Sequence, residues 1–224
     1  MPSDFQQRTI TGLPFQGIWY VIQDYRPGNA FSHTDPSQHA WDFTILDATG
    51  HCYQGDPTSG ILSVPLLDAQ SRADYFRPID GLANEAFYCF HKPVLSPGNG
   101  RIVRAVDGVT DNEPHAVNEE KPFGNYVAVD HGNNEYSFVL HLKMGTVAVS
   151  IGQKVRRGQL LGFCGNSGYS FEPHVHVHFQ GNASPDNPTP IPMTFTDYCV
   201  LDGTEQVKVE NRSPERGQFV CRPS

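Results

Sequence analysis

The chain of 224 residues carries 16 Lys and Arg against 24 Asp and Glu, a formal charge of −8, with 18% charged and 38% hydrophobic residues. That size fits one domain with a sizeable core, and the balance excludes a coiled coil, a disordered acidic chain and a collagen-like repeat. No Lys/Arg cluster offers a footprint for a phosphate backbone, so nucleic acid is not an expected partner.

In chain order, the N-terminus (Met1 to Arg8) has no basic segment followed by an apolar one, so no signal peptide is visible. No stretch approaches the ~20 apolar residues of a membrane span. Short apolar runs separated by Gly, Pro, Asn and Asp predict strands at Gly17–Ile22, Trp41–Leu46, Arg101–Val106, Tyr126–Asp130, Tyr136–Leu142, Leu160–Cys164, Val175–Gln180 and Met193–Val200. Turn signals fall between them at Pro97–Gly100, Gly132–Asn134 and Gly165–Gly168. The expectation is a mainly β chain with few helices: a single β domain over residues 1–210 and a loose tail or edge strand over 211–224. The long segment 43–92 is expected to be an irregular excursion with a short helix near Asp68–Phe76. Five cysteines without a CxxC pair argue against a zinc ribbon.

The chemistry concentrates in the histidines. His174, His176 and His178 alternate with Val175 and Val177, so in a strand the three imidazoles share one face and the valines the other. Imidazoles so arranged suit metal binding or acid–base work. Asp42, set among Trp41, Phe43 and Ile45, is a carboxylate that needs a partner. By strand parity His39 lies on the face opposite Asp42, whereas His33 comes from a preceding loop. His141 interrupts the apolar run Phe138 to Leu142.

Taken together these pieces resemble the lysostaphin/LytM-type zinc metallopeptidases, the peptidoglycan endopeptidases. Gly165-Asn166-Ser167-Gly168 followed by Pro173-His174-Val175-His176 resembles the family's GNSG…PHLH signature, and Leu140-His141-Leu142 its second histidine motif. The segments Lys92 to Val103, Gly124 to Gly132 and Val147 to Gln159 resemble its turn-rich motifs, in the family's order. The likeness runs over roughly residues 30 to 180.

The resemblance implies antiparallel sheets around an open groove. It also implies one zinc ion bound by His33, Asp42 and His176, with His141 and His174 as unligated catalytic histidines. The first motif departs from the common HxxxD spacing, which would fall on Gln38; a longer-loop variant fits His33, with His39 as the alternative. The implied activity is hydrolysis of cell-wall peptide cross-bridges by a zinc-activated water, with His174 as base and His141 assisting the oxyanion or the leaving amine. His131 and His178 read as rim or supporting residues. The implied partner is peptidoglycan peptide or another extended peptide, and the implied location is outside the cytoplasm. The alternatives are a non-catalytic member that binds peptidoglycan or a partner and activates another hydrolase, or a cytosolic metal-dependent hydrolase of another substrate.

Overall fold

The computed structural model describes residues 5–24, 39–54 and 81–223. Among these, strands run at Ile18–Gln23 (β1), Ala40–Thr44 (β2), Pro93–Leu95 (β3), Gly100–Val106 (β4), Asn125–Asp130 (β5) and Tyr136–Leu142 (β6). Further strands run at Lys154–Val155 (β7), Leu160–Phe163 (β8), Val175–Gln180 (β9), Phe195–Asp202 (β10), Glu205–Arg212 (β11) and Phe219–Cys221 (β12). The one helical element among the described residues is a 3-10 turn at Asn84–Ala86. The helix expected near Asp68–Phe76 and much of the 43–92 excursion lie outside the described residues, as does His33.

Ten strands form a single sheet in the order β11-β10-β12-β1-β2-β9-β6-β5-β4-β7, and β3 pairs with β8. All of these pairings are antiparallel. The mainly β expectation holds, and the eight predicted strands are all present with ends shifted by two residues or fewer.

The 211–224 stretch is not a loose tail. Phe219–Cys221 forms β12, an inner strand between β10 and β1, and the buried indole of Trp41 donates to the Pro214 carbonyl at 3.1 Å. Val220 and Cys221 are buried there, and a three-residue strand gives too short a pattern to stand out in a Pro/Arg/Ser-rich sequence. The edge strand β11 was also not predicted. Nearly all of its residues are exposed, so neither face carries an apolar stripe.

Alternation sorts the central strands into two faces. Val175, Val177 and Phe179 of β9 lie on the same side as Trp41 and Phe43 of β2 and Val139 of β6, and together they enter the main core. Trp41 meets Phe179 and Phe195 edge-on at centroid distances of 6.1 and 5.2 Å. Burying aromatic side chains of this size contributes roughly 2–3 kcal/mol each. This packing holds β2, β9 and β6 side by side. Their other face carries Asp42, His176 and His178, with a small apolar cluster of Tyr126, Ala128, Phe138 and Leu140 beside them.

Candidate metal centre

Register sets the first two groups of the site. Asp42 of β2 pairs directly with His176 of β9, which places their side chains on the same face. The Asp42 Oδ1 lies 2.9 Å from His176 Nδ1 and 3.6 Å from His174 Nε2. These side chains are only 14%, 6% and 12% exposed, so the carboxylate is too buried to stand without a cation or proton facing it.

His141 reaches this group by a backbone irregularity. Leu140 pairs with His176, so simple alternation would turn His141 into the main core beside Val139. Between Asn125–Leu142 and Val127–Val139, however, β6 has one residue more than β5, and His141 sits there at φ 61°. A bulge of this kind re-aims one side chain. The His141 ring comes to 4.9 Å from that of His174 and 5.6 Å from that of His176, centroid to centroid.

The Gly165–Gly168 loop holds the bulge in place. Ser167 Oγ donates to the Leu142 carbonyl at 2.8 Å and accepts from the Asn125 amide at 2.9 Å, and its carbonyl oxygen lies 2.8 Å from His141 Nδ1. The Asn125 side chain binds both the amide and the carbonyl of Val109, and its Nδ2 adds a second bond to the Leu142 carbonyl. Gly168, at φ 85°, lets this loop run against Gly124, where a Cβ would come 2.4 Å from the Gly124 nitrogen. Asn166 and Ser170 extend the network, with Ser170 Oγ 2.7 Å from Asn166 Oδ1 and 3.2 Å from His174 Nδ1. Sequence reading identified this loop but gave no role to Asn125, Ser167 or Ser170. Their signal was polar residues beside the tight glycines of the two motifs.

Hydrogen-bond direction shows which ring nitrogens face inward. The Ser167 carbonyl can only accept, so His141 Nδ1–H donates to it and Nε2 is the lone-pair atom of the neutral ring. Likewise His174 Nδ1–H donates to the Glu172 carbonyl at 2.8 Å, which leaves Nε2 of that ring facing Asp42. Burial, then the adjacent His174 and His176, which disfavour a further positive charge, holds His141 well below the ordinary histidine pKa and keeps it uncharged. Ligand atoms of His141, His174 and His176 lie within 4.8 Å of one another, and Asp42 adds a carboxylate. Imidazole nitrogens gathered on a carboxylate are the donor set of a zinc site, so these residues fit the metal.

The structure thus brings together Asp42, His141, His174 and His176 of the sequence-derived set. His39 sits just before β2 at φ 66° and is not one of the three clustered histidines. His178 contacts His176, with Nδ1 2.9 Å from His176 Nε2. His131 lies at the β5–β6 turn, bonded to the Asn99 carbonyl and the Ser137 hydroxyl. His115 has both ring nitrogens buried without a hydrogen-bond partner among the described residues.

Residues 86–188 match the model of peptidase family M23, a stretch that contains His141, His174 and His176. Over 95 residues the chain is 38% identical to the peptidoglycan DD-endopeptidase ShyA of Vibrio cholerae, covering 42% of this chain and 19% of that protein. The chain spans about a fifth of the length of the curated relatives it matches first. Among solved structures, the catalytic domain of the prophage-encoded M23 protein EnpA from Enterococcus faecalis aligns with 81% of this chain and 95% of its own, at 15% identity and TM-score 0.46. The catalytic domain of lysostaphin from Staphylococcus simulans aligns with 78% of this chain and 88% of its own, at 16% identity and TM-score 0.39. The segment 86–188 is thus similar to peptidase family M23, in agreement with the lysostaphin/LytM-type motifs of the sequence.

Proposed function

We propose that the protein is a zinc metalloendopeptidase that hydrolyses peptide cross-bridges of bacterial peptidoglycan. The observation that carries this reading is the convergence of Asp42, His141, His174 and His176 on one buried point, with Nε2 of the uncharged His141 ring and Nε2 of His174 both turned inward. A relative named as a peptidoglycan DD-endopeptidase supports the substrate class. Such a substrate lies outside the cytoplasm, so the reading implies an exported protein. No helix among the described residues is long and apolar enough to cross a membrane.

In this reading His33, Asp42 and His176 hold the metal. A bound zinc ion supplies a polarised scissile carbonyl and lowers the pKa of water towards ~7. His174, its Nδ1–H tied to the Glu172 carbonyl, takes a proton at Nε2 from the attacking water. The proton that His174 takes is then the one returned to the leaving amine, and His141, kept uncharged by burial, offers its Nε2 as a second acceptor beside the attacking water. The Ser167 carbonyl fixes the orientation of its ring.

The proximity of three histidines favours a second ligand set, in which His141, His174 and His176 bind the metal together. Replacement of His174 separates the two. If His174 is a base, His174→Ala keeps zinc and loses about 10²–10⁴-fold in turnover; if it is a ligand, zinc is lost as well. The function itself is tested by digesting purified peptidoglycan with zinc-loaded protein and measuring new amino groups. Release that stops on chelation and returns with zinc supports the endopeptidase. Zinc-loaded protein that binds peptidoglycan and releases no amines makes the chain a non-catalytic binding member instead.

A further inference from the structure

Four strands at one end of the large sheet align a row of residues away from the metal centre. Cys199 of β10 pairs directly with Cys221 of β12; beyond them Cys199 pairs with Lys208 of β11, and Cys221 with Ile18 of β1. Tyr198, Val200 and Val220, the chain neighbours of the two cysteines, pack in the main core, so alternation turns both thiols to the other face of the sheet. There the exposed side chains of Ile18 and Lys208 flank them, although the cysteines themselves are buried.

Directly opposed residues of an antiparallel pair hold their Cα atoms roughly 4.5–5.5 Å apart. A disulfide spans Cα separations of roughly 4.4–6.8 Å, so this register meets its requirement and only the side chains need to turn. Burial first, then the Cys199 thiol beside it, raise the Cys221 thiol above its ordinary pKa, in keeping with two adjoining sulfurs. All five cysteines are thiols in the structure, and the other three lie in the main core. Cys89 and Cys164 also interact there, but no reagent reaches them, and Cys89 donates to the Pro173 carbonyl at 2.9 Å.

We propose that Cys199 and Cys221 are the site of a cross-strand disulfide that anchors the C-terminal strand β12 to β10. β12 is only Phe219–Cys221, yet it is an inner strand, and β1 on its far side carries β2 and with it Asp42. The bond forms by exchange with a small or protein disulfide as the oxidant. One cysteine thiolate attacks the oxidant and releases a thiolate, then the second cysteine thiolate attacks the mixed disulfide and releases the other. The protons given up by the two cysteines leave on the two released thiols, so the cysteines lose two electrons and the oxidant gains them. The biological setting rests on the proposed function, because its substrate lies outside the cytoplasm, where such bonds persist. The test needs neither metal nor substrate, so the bridge and that reading fail separately.

The folded protein is incubated with glutathione disulfide, alkylated, and digested without reduction by trypsin and an Asp-specific protease. Cleavage before Asp197 separates Cys199 from Cys164. The expected product is a peptide pair that joins Cys199 to Cys221, two hydrogens lighter than its parts and split by a reductant. The oxidised protein should melt about 6–12 °C above the reduced one, the gain for closing the loop 199–221 in a chain of this size. Cys221→Ser should show no such gain. Cys199 and Cys221 recovered alkylated, as separate glutathione adducts, or joined to other cysteines would overturn the site. A bridged protein that melts with the reduced form would overturn the anchoring role.

Discussion

Replacing Gly124 by Ala perturbs the strand–loop contact on which His141 depends. Gly124 is at φ 60°, where a non-glycine residue costs about 1–2 kcal/mol. The new Cβ would also meet the Ser167 carbonyl oxygen at 2.3 Å, and that oxygen is the acceptor for His141 Nδ1. The obstacle is backbone rather than the end of a flexible side chain, so overpacking adds about 1–3 kcal/mol. The sum is about 3 kcal/mol, or a Tm lower by about 6–12 °C for a chain of this size. Gly145 is the control: it has φ 75°, but nothing lies within 4 Å of its ideal Cβ. Gly145→Ala should lose only the conformational part, about 1–2 kcal/mol. Thermal and urea unfolding of the two variants isolates the clash, and zinc affinity and peptidoglycan hydrolysis should fall in Gly124→Ala alone. Equal destabilisation of the two variants, or a Gly124→Ala protein with unchanged hydrolysis, would refute the claim that this contact positions His141.

Asn125→Ala removes three side-chain hydrogen bonds and leaves buried groups of Val109 without them, so urea unfolding should show a loss of about 3 kcal/mol. His176→Ala should abolish zinc binding, and with it the rise in Tm that zinc gives the wild type; a variant that is still stabilised by zinc would remove His176 from the ligand set. The metal-free protein should lose stability on acidification. Burial lowers the pKa of His39, His115, His131 and His141, so below the ordinary value of about 6.5 the unfolded chain binds protons that the folded chain does not. The urea midpoint in chelator should therefore be lower at pH 5.5 than at pH 7.5, and a midpoint unchanged or higher at pH 5.5 would contradict the burial of these rings.

The sequence reading went furthest where period and function coincide. The alternation His174-Val175-His176-Val177-His178 in β9 leaves one arrangement that buries the valines, and the structure has it. Asp42 was legible for a similar reason, as a charge between Trp41 and Phe43, whose core packing fixes its face. His141 was recognisable by motif, but its direction was not, because parity points it into the core and the bulge at φ 61° reverses that. Nothing in the order Leu140-His141-Leu142 signals an extra residue relative to β5. That shift becomes visible only through the Asn125 and Ser167 bonds to the Leu142 carbonyl. The strands β11 and β12 escaped for opposite reasons, one exposed along most of its length and the other three residues long.

The central claim is that Asp42 and His176 bind the metal while His141 and His174 stand beside it as acid–base groups. Diffraction from crystals of the zinc-loaded protein, recorded on both sides of the zinc absorption edge, tests this most directly. The account predicts one anomalous peak bonded to the Asp42 carboxylate, His176 Nδ1 and His33, with Nε2 of His141 and of His174 facing it but unbonded. A peak bonded to His39, or to His141 and His174 in place of Asp42, would contradict it.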